Sequence, residues 1–441
     1  MLENLNPQQK SAVRYVDGPL LVLAGAGSGK TSVITRKIAW LIDECGMPAR
    51  HIAAVTFTNK AAKEMRERVN KLTDKTKAKG LRISTFHTLG LDIIRHQFED
   101  LGLKKGFSIL DNEDSMRVLK ELTLQTNDGN LEILDLAMQQ ISAWKNGLIE
   151  PAVAMSKASS DGEVRIARLY DGYQKSLRTY NSVDFDDLIM LPVLQMRTNK
   201  DALEQWQSRI RYLLVDEYQD TNRSQYELVR LLVGDRQALT VVGDDDQSIY
   251  AWRGANPENL STLSDDFPTL KVIKLEQNYR SSKRILASAN AVIANNPHVF
   301  EKSLWSDFGV GDTIDVLLRP DDEDEIDWVV DDLQFQQAAK KRHYKDFAVL
   351  YRSNHQAKLL ELKLQGKGIP YAISGGTSFY SRTEIKDVMA YLRLLINTDD
   401  DNAFLRIINT PRRQIGTQTL QHLSEYASER EISLYLSLIH I

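Results

Sequence analysis

Leu20-Leu21-Val22-Leu23-Ala24-Gly25-Ala26-Gly27-Ser28-Gly29-Lys30-Thr31 is the stretch on which the fold turns. Its apolar run is too short to span a membrane and suits a strand buried on both faces. Val33, Ile34, Ile38, Leu41 and Ile42 then recur at helical spacing. The glycine-rich loop between them opens a helix, where unpaired N–H groups and the positive end of the helix dipole favour an anion. Lys30 is placed to reach the outer phosphates of a nucleotide, and Thr31 to ligate magnesium. The strict phosphate-loop pattern would have glycine where Ala24 stands. Binding of a nucleoside triphosphate is the first expectation.

Bulk composition narrows the setting. A length of 441 residues predicts two to four domains, and a hydrophobic share of 42% can fill their cores. Lys and Arg number 56 against 60 Asp and Glu, so any nucleic-acid site has to be a local groove, not a global charge. The single cysteine, Cys45, rules out an internal disulfide framework and fits a reducing compartment, with cytoplasm as the expected location. No apolar run is long enough for a bilayer, and the eight histidines lack metal-ligand spacing.

Upstream of the loop, Asn6 can cap a helix that begins at Pro7; a glutamine amide at Gln9 fits either an ordinary helix start or the edge of an adenine. Ile52–Phe57 and Arg82–His87 read as further strands. Their exits carry Phe57, Asn59 and Lys60, and Thr85, Phe86 and His87, which suit either capped helices or contacts to nucleic-acid phosphates and bases. His87 shows no base or metal partner and is read as a hydrogen-bond donor at most. Residues 88–200 follow a helical pattern and predict an inserted helical domain. Within it, Asp184, Asp186 and Asp187 best suit the first turn of a following helix.

Arg211–Asp220 returns to sheet, and its Asp216-Glu217 pair is the partner a phosphate loop requires. Asp216 would hold magnesium and Glu217 would orient or deprotonate the attacking water. Leu239–Gly243 is a strand leading to Gln247, placed to sense a terminal phosphate, and to Tyr250, Trp252 and Arg253. Those aromatics can stack bases, although taken alone Tyr250 and Trp252 would better suit a core. Lys271–Leu275 is another strand, followed by Tyr279, able to stack on adenine, and Arg280, able to reach the γ-phosphate. The acidic run 321–325 reads as a solvated helix start. Phe347–Tyr351 reads as a strand of a second α/β domain, with Arg352, Asn354 and His355 at its exit.

Together these stretches resemble the superfamily 1 DNA helicases, in the branch that holds Rep, UvrD and PcrA and nearest to its Rep group. Leu5–Gln9 is similar to the family's Q motif, and Ala24–Thr31 to motif I, which in this family accepts alanine first. Thr56–Ala62 resembles motif Ia, Ser84–Gly90 motif Ib, Asp216–Asp220 motif II, Val242–Ala255 motif III and Leu275–Ser281 motif IV. The resemblance implies ATP and Mg2+ as cofactors. Lys30, Asp216, Glu217, Gln247 and Arg280 would carry the chemistry, with Thr31 and Asp216 on the metal. ATP would touch Gln9, the loop residues Ala24, Gly25, Ala26, Gly27, Ser28, Gly29, Lys30 and Thr31, then Ser32, which stands where many relatives carry an adenine-packing arginine, and Tyr279. DNA would meet Phe57, Thr58, Asn59, Lys60, Thr85, Phe86, His87, Tyr250, Trp252, Arg253, Arg352 and Asn354.

The implied fold is α/β. A RecA-like ATPase domain 1A is built from 1–84 and 200–275, with helical domain 1B inserted at 85–199. An incomplete second RecA-like domain 2A follows at 276–373, and 374–441 begins the helical domain 2B. The implied activity is 3′ to 5′ translocation on single-stranded DNA and unwinding of forked DNA in replication or repair, by a monomer or weak homodimer with replication or repair partners and no membrane. Motor subunits of recombination nucleases share these motifs. Motifs V and VI do not appear by Ile441, which predicts a truncated reading frame whose last residues, 432–441, are not native. An ATP- and DNA-binding fragment without motor activity is the corresponding alternative.

Overall fold

The computed structural model describes residues 2–125, 131–256, 258–296, 300–374, 382–430 and 432–439. Its centre is a sheet of six parallel strands: β1 (Leu20–Ala24), β2 (Ile52–Thr56), β3 (Arg82–Thr85), β6 (Tyr212–Val215), β7 (Leu239–Gly243) and β8 (Lys271–Leu275), in the order β3-β2-β6-β7-β1-β8. A separate two-residue parallel pair joins β4 (Ser108–Ile109) to β5 (Ser182–Val183). All six match strands the sequence predicts; β1, β2, β6 and β7 are mainly apolar runs, while the edge strands β3 and β8 interleave polar residues. In register, Leu21 lies opposite Val241 on one side and Val272 on the other.

Strand side chains alternate between faces, so β1 feeds two cores at once. Leu21 and Leu23 join Val55, Leu213, Val215 and Val241 beneath five helices: α4 (Phe86–His96), α9 (Asp187–Thr198), α10 (Lys200–Arg209), α11 (Arg223–Val233) and α12 (Asn259–Asp266). Leu20, Val22 and Ala24 face the opposite core, beneath α1 (Pro7–Arg14), α2 (Lys30–Asp43) and α3 (Asn59–Leu72). With helices on both faces, a continuous apolar strand is the stable solution, which is why β1, β2, β6 and β7 are buried throughout. Because β6, β7 and β1 are neighbours, the loops leaving their carboxyl ends adjoin.

The helical stretch between β3 and β6 divides by its packing. α5 (Asn112–Gln125), α6 (Leu134–Asn146), α7 (Pro151–Lys157) and α8 (Asp161–Thr179) surround a core of their own that includes Leu119, Ala137, Ile141, Tyr170 and Tyr173. α4 and α9 instead bury Phe86, Leu89, Ile93, Ile189, Val193 and Met196 against the sheet.

The chain forms two compact units, residues 1–311 with 391–441, and residues 312–390. After α13 (Lys283–Ile293) of the first unit, the second unit packs α14 (Asp322–Ala339) on α15 (Asn354–Gly366) through Val330, Leu360 and Leu364. Asp321 caps α14 by accepting the Asp324 N–H at 2.8 Å, so the acidic run is a helix start as its sequence predicts. The strand expected at Phe347–Tyr351 is not formed: among the described residues of this unit no strand is present, and Val349 and Leu350 stand exposed. A strand exists only by pairing its backbone with a neighbour, and a single apolar run without one has no ladder to join. The further domain expected from residue 374 begins at the edge of residues 375–381, which lie outside the described residues.

Candidate nucleotide and nucleic-acid site

The phosphate loop leaves β1 at Ala24 and enters α2 at Lys30. Gly29 caps α2 at φ +90° and Gly27 sits at φ +71°, left-handed backbone that a Cβ would strain. No side chain caps α2, so its first N–H groups face the loop interior, as an anion site requires. The loop is held from several directions. Ser28 Oγ donates to Gly25 O at 2.7 Å, Asn278 Nδ2 to Ala26 O at 2.5 Å, and Tyr279 N–H to Gly27 O at 2.9 Å.

Gln9 is buried, and its amide is engaged at both ends: Nε2 donates to Ser28 O at 2.8 Å and Oε1 accepts Asn6 N–H at 3.1 Å. In this arrangement the amide ties α1 to the loop. The groups presented beside it are Asn6 and Tyr279, with Asn6 Nδ2 donating to Tyr279 Oη at 3.0 Å. Ser32 Oγ accepts a hydrogen bond from Arg36, one helical turn further along α2.

The three strand exits converge on Lys30. Its Nζ lies 3.1 Å from Glu217 Oε2 and 3.1 Å from Gln247 Oε1. Gln219 Nε2 donates to Glu217 at 2.9 Å, its Oε1 accepts Asp244 N–H at 3.0 Å, and Gln247 Nε2 donates to Asp244, which closes a ring. Gln219 and Asp244 were not singled out from sequence; each lies within a motif, two or three residues from a residue that was.

Asp216 is buried, and burial, reinforced by the neighbouring Glu217 carboxylate, pushes its carboxyl up to about 7. A divalent cation relieves that cost, so Asp216 fits a magnesium ligand, with Thr31 on the first turn of α2 as the hydroxyl partner the sequence offers. Arg280 exposes its side chain next to the loop, with its Cβ beside Gly27.

A row of aromatics runs from the same exits. Phe57 stacks on Tyr250 with centroids 5.1 Å apart and planes at 21°, and Tyr250 lies 6.3 Å from Trp252, which is 72% exposed. Thr58 caps α3, leaving Asn59 and Lys60 exposed in its first turn. Thr85 caps α4 in the same way. Phe86 corrects the sequence reading: its ring is 3% exposed and packed in the sheet core, so it has no face to offer a base. His87, held below the usual imidazole range by burial, meets Phe185 edge-on at 6.0 Å. Phe185 is 48% exposed and was missed; the available signal was an aromatic set between carboxylates that drew attention to themselves.

Those carboxylates do more than favour a helix start. Asp184 and Asp187 hold the fully buried Lys145 at 2.6 and 2.9 Å, and Tyr173 donates to Asp184 at 3.0 Å. Arg352 and Asn354 lie in the second unit, at the start of α15. The side chain of Arg253 lies outside the described residues. No helix among the described residues is long and apolar enough to cross a membrane.

The sequence pattern of the UvrD/REP helicase N-terminal domain matches residues 5–268, and that of the UvrD-like helicase C-terminal domain matches residues 273–439. The chain belongs to the UvrD/Rep helicase family. It is 57% identical over 431 residues to the ATP-dependent DNA helicase Rep of Salmonella typhimurium, and equally so to Rep of Escherichia coli, covering 98% of this chain and 64% of each relative. The ATP-dependent DNA helicase PcrA of Staphylococcus epidermidis is 41% identical over 442 residues, 60% of its own length. This member of the family therefore spans somewhat less than two thirds of the relatives it matches.

Proposed function

We propose that the chain is the ATP-hydrolysing, DNA-gripping part of a Rep-like helicase that moves 3′ to 5′ on single-stranded DNA and opens forked duplexes. The observation that carries this reading is continuity: the ring Lys30–Glu217–Gln219–Asp244–Gln247 passes within three residues into the Tyr250–Trp252 row. ATP hydrolysis and base stacking then share one loop.

The chemistry is positioning and charge stabilisation. Lys30 bonds Glu217 and Gln247, and a γ-phosphate that took up the ammonium would leave the Glu217 carboxylate to orient the attacking water and accept its proton. Gln247 loses the same partner and turns to the phosphate. Arg280 reaches the transferring group from beside Gly27. Magnesium, held by Asp216 and Thr31, would neutralise charge on the outer phosphates. On the DNA side Phe57, Tyr250 and Trp252 supply stacking faces, Asn59 and Lys60 supply phosphate contacts, and His87 adds a polar group, while Thr85, buried with its hydroxyl capping α4, serves to seat that helix. A role in replication or repair and a cytoplasmic location are part of this proposed reading.

The test is magnesium-dependent ATP hydrolysis by the 441-residue chain, with and without single-stranded DNA. The expected result is DNA stimulation that falls about 100-fold or more in Lys30→Ala, the scale of losing one transition-state donor. ATP and DNA binding without hydrolysis would instead favour the fragment reading, which the unformed strand at Phe347–Tyr351 supports.

A further inference from the structure

Asp244, Asp245 and Asp246 bring one carboxylate oxygen each within 4.8 Å of one another, at the head of the loop that carries Gln247. Such a trio resembles a cation site, but an ammonium fills it. Lys302, only 6% exposed, lies 3.0 Å from Asp246 and bonds Asp244 and Asp245 as well. Asp245 also accepts the Phe300 N–H at 3.3 Å. Burial opposes the lysine's charge, yet hydrogen bonds to Asp244 and Asp245 raise it above the usual ammonium range, so it stays protonated.

The origin of Lys302 gives the contact its meaning. Three residues on, Trp305 N–H donates to Glu276 O at 3.1 Å and its carbonyl accepts Asn278 N–H at 2.8 Å. The ribbon paired there is the one whose Asn278 and Tyr279 grip the phosphate loop. One end of this ribbon therefore holds the phosphate loop and the other the sensor loop. Asp244 is the shared joint, because it bonds Lys302 through its carboxylate while accepting the Gln247 amide.

We propose that Lys302 is a positioning residue for ATP hydrolysis, acting through Asp244 to hold Gln247 in register with the phosphate loop. It touches no substrate; it fixes where the sensor stands. Without the ammonium three neighbouring carboxylates repel, the 244–247 turn opens, and Gln247 loses the partner that aims it. Binding of ATP, which the loop and Lys30 provide, is left in place. The inference rests on the ATPase reading above and deepens it.

The experiment compares the 441-residue chain with Lys302→Met, Lys302→Arg and the pair Lys302→Met/Asp245→Asn, which removes one repelling charge and so guards against simple unfolding. Steady-state ATP hydrolysis with single-stranded DNA and amide hydrogen exchange across residues 244–248 are both read. The expected result is a kcat about 10-fold or more lower in Lys302→Met and in the double variant, with KM for ATP within about 3-fold, and substantial recovery in Lys302→Arg. Exchange at 244–248 rises in both methionine variants. Unchanged exchange, or a folded variant with wild-type kcat, overturns the proposal. So does a loss shared equally by kcat and KM that arginine does not restore. A wild-type chain that hydrolyses nothing defeats the ATPase reading instead, while the exchange measurement still decides whether Lys302 holds the loop.

Discussion

Leu20–Ala24 and Phe347–Tyr351 are two apolar runs of similar length and composition, with opposite fates. The first has β7 and β8 on its flanks and helices on both faces, and every residue is buried. The second has no strand beside it among the described residues, and Leu350 is 94% exposed. An apolar run records a demand for partners; whether a strand results depends on what the rest of the chain supplies. The sheet unit meets that demand and so can fix Lys30, Glu217 and Gln247 within hydrogen-bond reach of one another. The unit at 312–390 holds its helices by the Val330–Leu360 core and by ion pairs such as Lys363 with Asp327, and leaves its strand-like residues in solvent.

Paired substitutions sharpen that contrast. Leu21→Asp puts an unpaired carboxylate into the closed core and is expected to cost more than about 4 kcal/mol, enough to remove the cooperative thermal transition followed by circular dichroism. Trp252→Ala tests exposure that serves a purpose. Single-stranded DNA should bind about 10-fold more weakly, the scale of one stacked base, in a fluorescence anisotropy titration, with DNA-free ATP hydrolysis unchanged. Leu350→Asp should shift stability by less than about 0.5 kcal/mol in urea. If it costs as much as Leu21→Asp, Leu350 is covered in solution and the contrast between the two runs fails.

The four inner strands of the sheet were legible because parallel strands covered on both faces leave nearly continuous apolar runs, whereas the edge strands β3 and β8 interleave polar residues and are partly exposed. The candidate site was legible because phosphate chemistry demands particular residue types at strand exits, as at Lys30 and Glu217, which the structure brings within 3.1 Å of each other. Phe86 and Phe185 mark the boundary of that method. Both are aromatics near polar exits, yet the first turns into the core and the second out towards His87, a distinction set by the seating of α4 and α9 on the sheet. Lys145 and Lys302 were beyond reach for another reason. Each neutralises carboxylates tens of residues away in sequence, and nothing local to either lysine records the appointment.

Glu217 leaves β6 with φ +51° and ψ 45°, a left-handed conformation that a side chain adopts at a cost of about 1 kcal/mol or more. That twist sends the Glu217 carboxylate to Lys30 while Asp216, one residue earlier, stays buried. Selection for thermal endurance alone would favour glycine at this position. On the proposed function, a glutamate there marks a place where the chain trades robustness for work, and a screen for heat-tolerant variants is expected to erode ATP hydrolysis first at this corner.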